Sequence, residues 1–436
     1  MKYLKFCFYL SIAILLLFNN CGKTANREIP ETESLSDQQL VSIIGENNNH
    51  KGEFILVRPI DDTLIDNSLN ILVPDDNSIK IYDINGNGKK ILGRKGQGPG
   101  EFRKTPFIYL SPTGYLTALN RGYTERFCLY DSSYNLVKDS WLNEKPGFKQ
   151  FFKENQYLMS YVMAVDNLYA LSEHEFFWSV ELNTPSELRM AVIYESRDKF
   201  RVIFHGKMPG DLKLESGNRA LGGNMGRFIM GALPGRKMYY INTDEEIFTD
   251  DNNGEYILHI VSLDSFEDKE FRRHFEPAPY PPDLADRSYK RRDPRSQEVF
   301  KDIYLETKRI YEQRKYWPMD GAIADGKLIY FFLHSQYKDK NFNELMPYKI
   351  VDVFDSENEI FLKPIKIPRS SSVRPLKNGY TADVGEDKDG YPEIRIYKSS
   401  LFIHIQQDFA ELPPLGHIEL RLCRLFKREF FINDRF

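Results

Sequence analysis

The apolar and polar positions from residue 54 onward form short runs separated by turn residues. Phe54–Val57 alternates, Asn70–Val73 is apolar, Ile79–Ile84 alternates again, and Lys90–Leu92 closes the series. Alternation with a period of two predicts β-strands with one buried face. Asn85–Gly88 contains the Asn-Gly pair that favours the positive φ angles of a tight hairpin turn. These residues therefore predict a small antiparallel sheet of four strands.

The same order of runs and turns recurs over the next fifty residues. Its strands are predicted at Phe107–Leu110, Tyr115–Leu119, Arg126–Tyr130 and Leu136–Trp141. In both units an alternating strand ends in Tyr-Asp and is followed by a polar turn and another strand. A repeated unit of roughly 40 to 60 residues with four strands is typical of a β-propeller blade.

Weaker versions of this unit continue to residue 398. A third blade is predicted from Phe151–Ser160 onward, and three more within residues 228–274, 322–354 and 381–398. Residues 51–398 then provide about 58 residues for each of six blades. The pattern predicts an all-β fold, a six-bladed β-propeller of four-stranded antiparallel blades.

Pro294–Arg314 interrupts the β pattern. Its interior lacks glycine and proline, and its apolar and aromatic side chains recur at helical spacing. Pro294 suits the first turn of a helix, and Trp317-Pro318 ends it. This segment predicts a helical insertion that caps one face of the ring or packs beside a blade. Residues 399–436 do not follow the blade pattern and are assigned only as a C-terminal extension.

Three features of the first two units have a counterpart in a known family. They are the Tyr82-Asp83 strand ending, the glycine-rich linker Gly93–Phe102, and the following strand with Pro106. With these features the chain resembles the NHL-like six-bladed β-propeller lipoproteins of bacteria, many of which have no characterised function. The resemblance is good over residues 54–142 and fainter in the later blades. It implies an exported propeller that is anchored to a membrane.

The first residues have the layout of a bacterial secretory signal. Lys2 and Lys5 precede the apolar run Phe6–Phe18, which is shorter than the roughly 20 residues of a membrane-spanning helix. We expect residues 1–20 to be a signal peptide and Cys21 to be lipidated, although Asn19 and Asn20 are a relaxed match to the cleavage site. The alternatives are an ordinary signal peptide or an uncleaved anchor.

Export with a lipidated cysteine sets the expected location and partners. Residues 21–50 are polar and weakly apolar, so we expect a flexible tether between membrane and propeller. The protein is then anchored by lipid to a membrane of the cell envelope and faces the periplasm or the exterior. The 63 acidic residues outnumber the 59 basic ones, and this balance argues against nucleic acid as a partner.

The four cysteines do not predict a disulfide framework. Cys7 and Cys21 belong to the signal segment, and only Cys128 and Cys423 remain in the rest of the chain. They are far apart in sequence, and no Cys-x-x-Cys spacing indicates zinc or redox chemistry. We expect two buried thiols; a single Cys128–Cys423 bridge is the less favoured alternative.

No motif predicts a catalytic residue, a metal site or a cofactor. Gly93–Phe102 is rich in glycine but lacks the Lys-Ser/Thr pair and the following helix of a phosphate-binding loop, so it predicts a structural turn between blades. Asp83–Gly88 imitates the start of a calcium loop, but Arg94 stands where a bidentate glutamate belongs. The eight histidines are scattered and lack the His-Glu-x-x-His spacing. No ligand-binding residue is identified.

Two functions from different classes remain open. The favoured one is a binding or scaffolding module whose loops at one end of the ring recognise a peptide, a glycan or a partner protein of the envelope. The alternative is an exported enzyme, a metal-dependent lactonase or lyase, with acidic or histidine ligands assembled around the central channel. Such ligands clustered in the channel would favour the enzyme, since the fold alone decides neither.

Overall fold

The short alternating runs form antiparallel strands along most of the described chain. The computed structural model describes residues 39–45, 52–60, 62–120, 126–142, 146–154, 161–183, 187–213, 219–221, 226–248, 253–281, 283–290, 293–314, 316–334, 336–338, 344–368 and 376–399. None of the helices in these ranges is long and apolar enough to cross a membrane. The predicted signal peptide, Cys21 and the extension from residue 400 onward lie outside the described residues.

Six large sheets of the described residues are the blades of the predicted six-bladed β-propeller. The first strand of the chain, β1 (Gln39–Gly45), belongs to the last blade. Blades 1 to 3 follow in order and each has four antiparallel strands. Their strands are β2 (Leu64–Ile65), β3 (Ile71–Asp75), β4 (Ser78–Tyr82) and β5 (Gly88–Leu92); β6 (Phe107–Leu110), β7 (Leu116–Asn120), β8 (Arg126–Tyr130) and β9 (Leu136–Trp141); β10 (Tyr161–Ser172), β11 (Glu175–Asn183), β12 (Leu188–Ser196) and β13 (Lys199–Lys207).

Blades 4 and 5 have five strands where four were predicted, because a short extra strand pairs with the third long one in each. A separate hairpin of β14 (Asp211–Lys213) and β15 (Arg219–Leu221) precedes them. Their strands and those of blade 6 are β16 (Phe228–Leu233), β17 (Lys237–Asn242), β18 (Ile247–Phe248), β19 (Gly254–Ser262) and β20 (Asp268–Phe275); β21 (Gly321–Asp325), β22 (Leu328–Phe332), β23 (Tyr348–Asp355), β24 (Ile360–Phe361) and β25 (Ile365–Pro368); β26 (Leu376–Lys377), β27 (Tyr380–Glu386) and β28 (Pro392–Lys398).

The ring is closed by the strand nearest the amino end. β1 pairs antiparallel with β28, and Ile44 lies opposite Ile394. Residues 39–45 were predicted as part of the flexible tether, so that prediction is wrong for them and the propeller begins before residue 51. Ile44 is fully buried with Ile71 of blade 1 and Ile396 of blade 6. The apolar residues Leu40, Val41, Ile43 and Ile44 favour a strand, and the burial of Ile44 between two distant parts of the chain places that strand in blade 6.

The apolar core lies between neighbouring blades. One cluster joins Leu72 and Ile81 of blade 1 to Leu116 and Cys128 of blade 2. Another joins blades 2 and 3 around Trp178, which is fully buried. Each blade therefore depends on its neighbours for burial of its apolar faces.

The predicted first strands of blades 1 and 3 are wrong. In blade 1, Phe54 ends a 3-10 helix (Gly52–Phe54), and the first strand is Leu64–Ile65 instead of Phe54–Val57. In blade 3, residues 146–154 form helix α1 (Pro146–Glu154), and the first strand is Tyr161–Ser172. Phe148 and Phe151 lie three residues apart on one face of α1, and both pack against the ring of Phe200 at centroid distances of 6.0 and 5.5 Å. Residues three apart lie on the same face of a helix, so both rings can pack on Phe200 only when this segment is helical.

The predicted helical insertion is present, but it is divided. Among the described residues it consists of α2 (Leu284–Lys290), α3 (Pro294–Val299) and α4 (Lys301–Arg314). Pro294 is at the start of α3 as predicted, and the side chain of Asp293 caps it by accepting from the N–H of Ser296 at 3.0 Å. Phe300 leaves the helical conformation and separates α3 from α4.

The glycine-rich linker is a structural turn, as predicted. Arg126 donates to the carbonyl oxygens of Gln97 and Gly98 at 2.8 and 2.6 Å, and it pairs with Asp139. Asp139 also accepts from the N–H of Gly100 at 2.7 Å. These bonds hold the linker against the last two strands of blade 2.

Cys128 lies beside this linker as a buried free thiol. Its burial, with the charge of Asp139, raises the pKa of Cys128 to about 12. The thiol therefore stays protonated and unreactive at neutral pH. Cys423 lies outside the described residues.

Candidate functional site

The first strands of the six blades surround a central channel. Its cavity has a volume of about 830 Å³, within the range of roughly 300–1,000 Å³ that is usual for small-molecule sites. Every blade contributes to the lining, for example through Leu64, Tyr109, Tyr169, Met230, Ile323 and Lys377. The channel is therefore one concave site built from segments that are far apart in sequence.

Two tyrosines form an aromatic wall on the side of blades 2 and 3. The ring centroids of Tyr109 and Tyr169 are 5.5 Å apart, and both side chains are half-buried. Tyr169 also stacks on Phe177 at 5.2 Å, and its hydroxyl donates to the carbonyl of Met230 at 3.5 Å. These contacts fix the two rings, so that they present a rigid apolar surface to the cavity.

A glycine on the wall of blade 4 makes room for a third tyrosine. Gly231 lies on β16, the first strand of this blade, and Tyr239 lies on the second. A Cβ atom on Gly231 would be only 2.5 Å from the ring of Tyr239. Because that position has no side chain, the ring of Tyr239 reaches the channel lining.

Charged groups gather at one mouth of the channel, between blades 4 and 5. Nη1 of Arg227 donates to the carbonyl of Asp320 at 2.8 Å and lies 3.7 Å from its carboxylate. Nζ of Lys349 is 3.9 Å from the other carboxylate oxygen of Asp320. Nearly half of the Arg227 side chain is exposed, 47%. A ligand that enters here therefore meets hydrogen-bond donors and one acceptor that are already oriented.

A histidine and a tryptophan lie beside this charged group. The rings of Trp317 and His334 stack with centroids 4.7 Å apart. Burial lowers the pKa of His334 to about 4. The positive charges of Arg227 and Lys349 also lower this pKa, and the negative charge of Asp320 raises it. The imidazole is therefore neutral at neutral pH and can accept or donate a hydrogen bond.

The charged mouth lies at the end of the ring that carries the long connections. Residues 208–227 join blade 3 to blade 4, and residues 276–320 join blade 4 to blade 5. At the opposite end the first two strands of blades 3 and 5 are joined by only two residues each. Arg227 and Asp320 directly precede the first strands of their blades, which places them at the long-connection end.

The described residues contain no group of three or more His, Cys, Asp or Glu that could hold a metal ion. His259, on β19 of blade 4, has carboxylates on both sides, with Glu245 at 2.9 Å and Asp268 at 3.1 Å. Burial alone lowers the pKa of His259, but its hydrogen bonds to the two carboxylates raise it to about 9. The ring stacks on Tyr240 at 4.3 Å. It is a structural cation of the blade and does not line the channel.

The sequence pattern identified none of these lining residues. Tyr109 lay in a predicted first strand, but nothing marked it as facing a channel. Tyr169 was missed because the first strand of blade 3 was misplaced. The sequence did carry one usable signal, the place of a residue within the repeat. Residues on the first strand of each blade, and those just before that strand, surround the central channel. Cys21, the one site residue predicted, lies outside the described residues.

Comparison with known proteins finds only weak similarities, all to solved structures. No protein-family model matches the chain, and no curated protein matches it. Among solved structures it is similar to the WD40 domain of Neurospora crassa Pan2, at 10% identity over 85% of this chain and 98% of that chain, with a TM-score of 0.36. A gluconolactonase from Xanthomonas campestris matches at 11% identity over 84% and 88%, with a TM-score of 0.34. A protein of unknown function from Bacteroides caccae matches at 8% over 76% and 82%, with a TM-score of 0.28. Similarities with TM-scores this low carry no argument about fold or function.

Proposed function

We propose that this chain is an exported, lipid-anchored binding protein of the bacterial cell envelope, and that it binds a short glycan in its central channel. The observation that carries the proposal is the cavity of about 830 Å³, lined by all six blades. A deep cavity of this size suits a ligand with two or three rings better than it suits a flat protein surface.

The lining favours a glycan over a peptide. A sugar ring has apolar C–H faces and hydroxyl groups around its edge. Tyr109 and Tyr169 offer fixed aromatic rings on which the C–H face of a sugar can pack. Arg227 and Asp320 at the mouth offer a donor and an acceptor for the hydroxyl groups of the sugar. Aromatic faces with a few placed polar groups are the usual composition of such sites.

The aromatic wall is tested by removing one ring. We expect Tyr169→Ala to weaken trisaccharide binding at least tenfold, about 1.4 kcal/mol, because the ring face is lost. The measurement is isothermal titration of the full chain with maltotriose, cellotriose, mannotriose and chitotriose. Tyr391→Ala is the matched control, since Tyr391 is 50% exposed and lies in a turn of blade 6 away from the channel. Equal affinity of the two variants, or binding of tripeptides with no trisaccharide bound, would contradict the glycan proposal.

The anchor rests on the amino-terminal residues alone. The positive start, the short apolar run and Cys21 form a lipoprotein-type signal. A cysteine carrying several acyl chains holds a protein stably at a membrane. The envelope is then where the channel meets its ligand.

Lipidation is tested at the cysteine. We expect Cys21→Ser to abolish incorporation of a labelled fatty acid and to move the protein from the membrane fraction to the soluble one. Cys128→Ser is the control, since Cys128 is a buried thiol of blade 2. Label that persists in Cys21→Ser would show that the anchor is not at this residue.

A further inference from the structure

A hairpin of blade 3 carries three exposed basic side chains and, in its turn, one exposed carboxylate, Asp198. Arg197 is in the two-residue turn between β12 and β13, and Lys199 and Arg201 follow on β13. All three side chains are exposed. Within the described part of the chain, none of them has a carboxylate within ion-pair distance. Two other arginines of blades 3 and 4, Arg189 and Arg236, are by contrast paired with Glu187 and with Glu175 and Asp264.

One of these cations lies over an aromatic ring of the next blade. The guanidinium of Arg201 lies 3.9 Å above the ring of Phe266, which comes from the turn between β19 and β20 of blade 4. Phe266 in turn packs edge-on against Tyr194, with centroids 5.2 Å apart. Stacking uses the flat face of a guanidinium and leaves the N–H groups at its edge free.

The three cations border a small cavity. Its volume is about 300 Å³, and its lining includes Tyr194, Arg197, Lys199, Arg201 and Phe266. A bare inorganic anion fills only a small part of such a space. The cavity is large enough for an anionic group together with one ring that carries it.

We propose that this pocket binds an oxyanion carried on a sugar ring: a sugar phosphate, a sugar sulfate or a uronate. The edge of Arg201 can donate two parallel hydrogen bonds to such a group. Lys199 and Arg197 add charge on the same side of the cavity. The chain as a whole has a net charge of −4, so the pocket is a local exception to the overall charge. It lies at the outer strand of blade 3, outside the channel lining, and is independent of the function proposed for the channel.

The test is titration of the full chain with glucose 6-phosphate, glucose 6-sulfate and glucuronate, with glucose as the neutral probe. We expect the anionic sugars to bind at least tenfold more tightly than glucose. Arg201→Ala should weaken their binding at least tenfold, and Arg201→Lys should also weaken it, because a single ammonium cannot form the paired hydrogen bonds. Arg272→Ala is the matched control; it removes the same charge from β20 of blade 4, where Arg272 is already paired with Glu255. It should leave affinity unchanged.

Several results would overturn the proposal. They are equal weakening by Arg201→Ala and Arg272→Ala, inorganic phosphate bound as tightly as the anionic sugars, and binding to phosphatidylglycerol vesicles with no anionic sugar bound. Because loss of the stacked Arg201 can also destabilise the blade, Lys199→Ala is the second variant. Lys199 is exposed on the hairpin, so it should weaken binding threefold or more with an unchanged melting temperature. An affinity unchanged by Lys199→Ala would also count against the pocket.

Discussion

Replacing Ile44 by aspartate is expected to lower the free energy of unfolding by about 4 kcal/mol or more. Ile44 is fully buried in the cluster that joins blade 6 to blade 1, with Ile71, Ile394 and Ile396. Loss of a buried aliphatic side chain costs about 2–5 kcal/mol, and a charge placed there adds a desolvation penalty. Because β1 closes the ring, the substitution weakens the contact between the last blade and the first. Urea denaturation followed by circular dichroism measures the change.

The control for this prediction lies on the same strand. Leu40 is also in β1, but 47% of it is exposed. Leu40→Asp should therefore change the unfolding free energy by less than about 1 kcal/mol. If the two variants lose equal stability, or if neither loses any, β1 does not close the ring in the way described.

Replacing Asp139 by alanine is expected to lower the free energy of unfolding by about 3–5 kcal/mol. The substitution leaves the guanidinium of Arg126 without its carboxylate, and only 8% of the Arg126 side chain is exposed. Removing one partner of a buried ion pair has a cost of this size because an uncompensated charge remains. It also removes the acceptor of the Gly100 N–H. The linker between blades 1 and 2 should loosen. Faster hydrogen exchange at the Gly100 N–H and thermal unfolding at a lower temperature would show this.

An exposed ion pair of the same linker is the control. Nε of Arg94 donates to Glu101 at 2.8 Å, but 82% of the Arg94 side chain is exposed. Arg94→Ala should change stability by less than about 1 kcal/mol. The loss of stability in Asp139→Asn should lie between the losses in Asp139→Ala and Arg94→Ala. The amide oxygen of asparagine can still accept from the N–H of Gly100, but the negative charge is lost. A small effect of Asp139→Ala would mean that the linker is held mainly by Phe102, which is fully buried.

Much of the blade structure could be predicted because its causes are local. The apolar run within Arg126–Tyr130 and the Asn-Gly turn after Asp83 depend only on neighbouring residues. The side chain of Asp83 accepts from the N–H groups of Asn85 and Asn87, both at 2.9 Å. This is the turn chemistry that the sequence indicates, and it needs no tertiary contact. The glycine-rich linker was predictable for a similar reason, since it lacked the residues of a phosphate-binding loop.

The errors lie where a distant contact decides the conformation. Residues 39–45 follow a polar segment and were assigned to the tether, although four of the seven are apolar; pairing with β28 places them in blade 6. The segment around Phe151 looks like a strand, and only packing on Phe200 favours helix α1. The fifth strands of blades 4 and 5 pair along the third long strand and have too few residues for a clear pattern.

The local pattern of this chain was enough to predict most of the long strands, tight turns, a helical insertion and six blades, because each blade repeats a pattern set by residues close in sequence. Tertiary structure alone decided how the ring closes, which tyrosines share the channel, and which cations remain unpaired. The channel brings Tyr109 next to Tyr169 and Arg227 next to Asp320, and the outer pocket brings Arg201 onto Phe266. These pairs come from different blades, and their members meet only because radial packing of the blades buries the apolar faces between them.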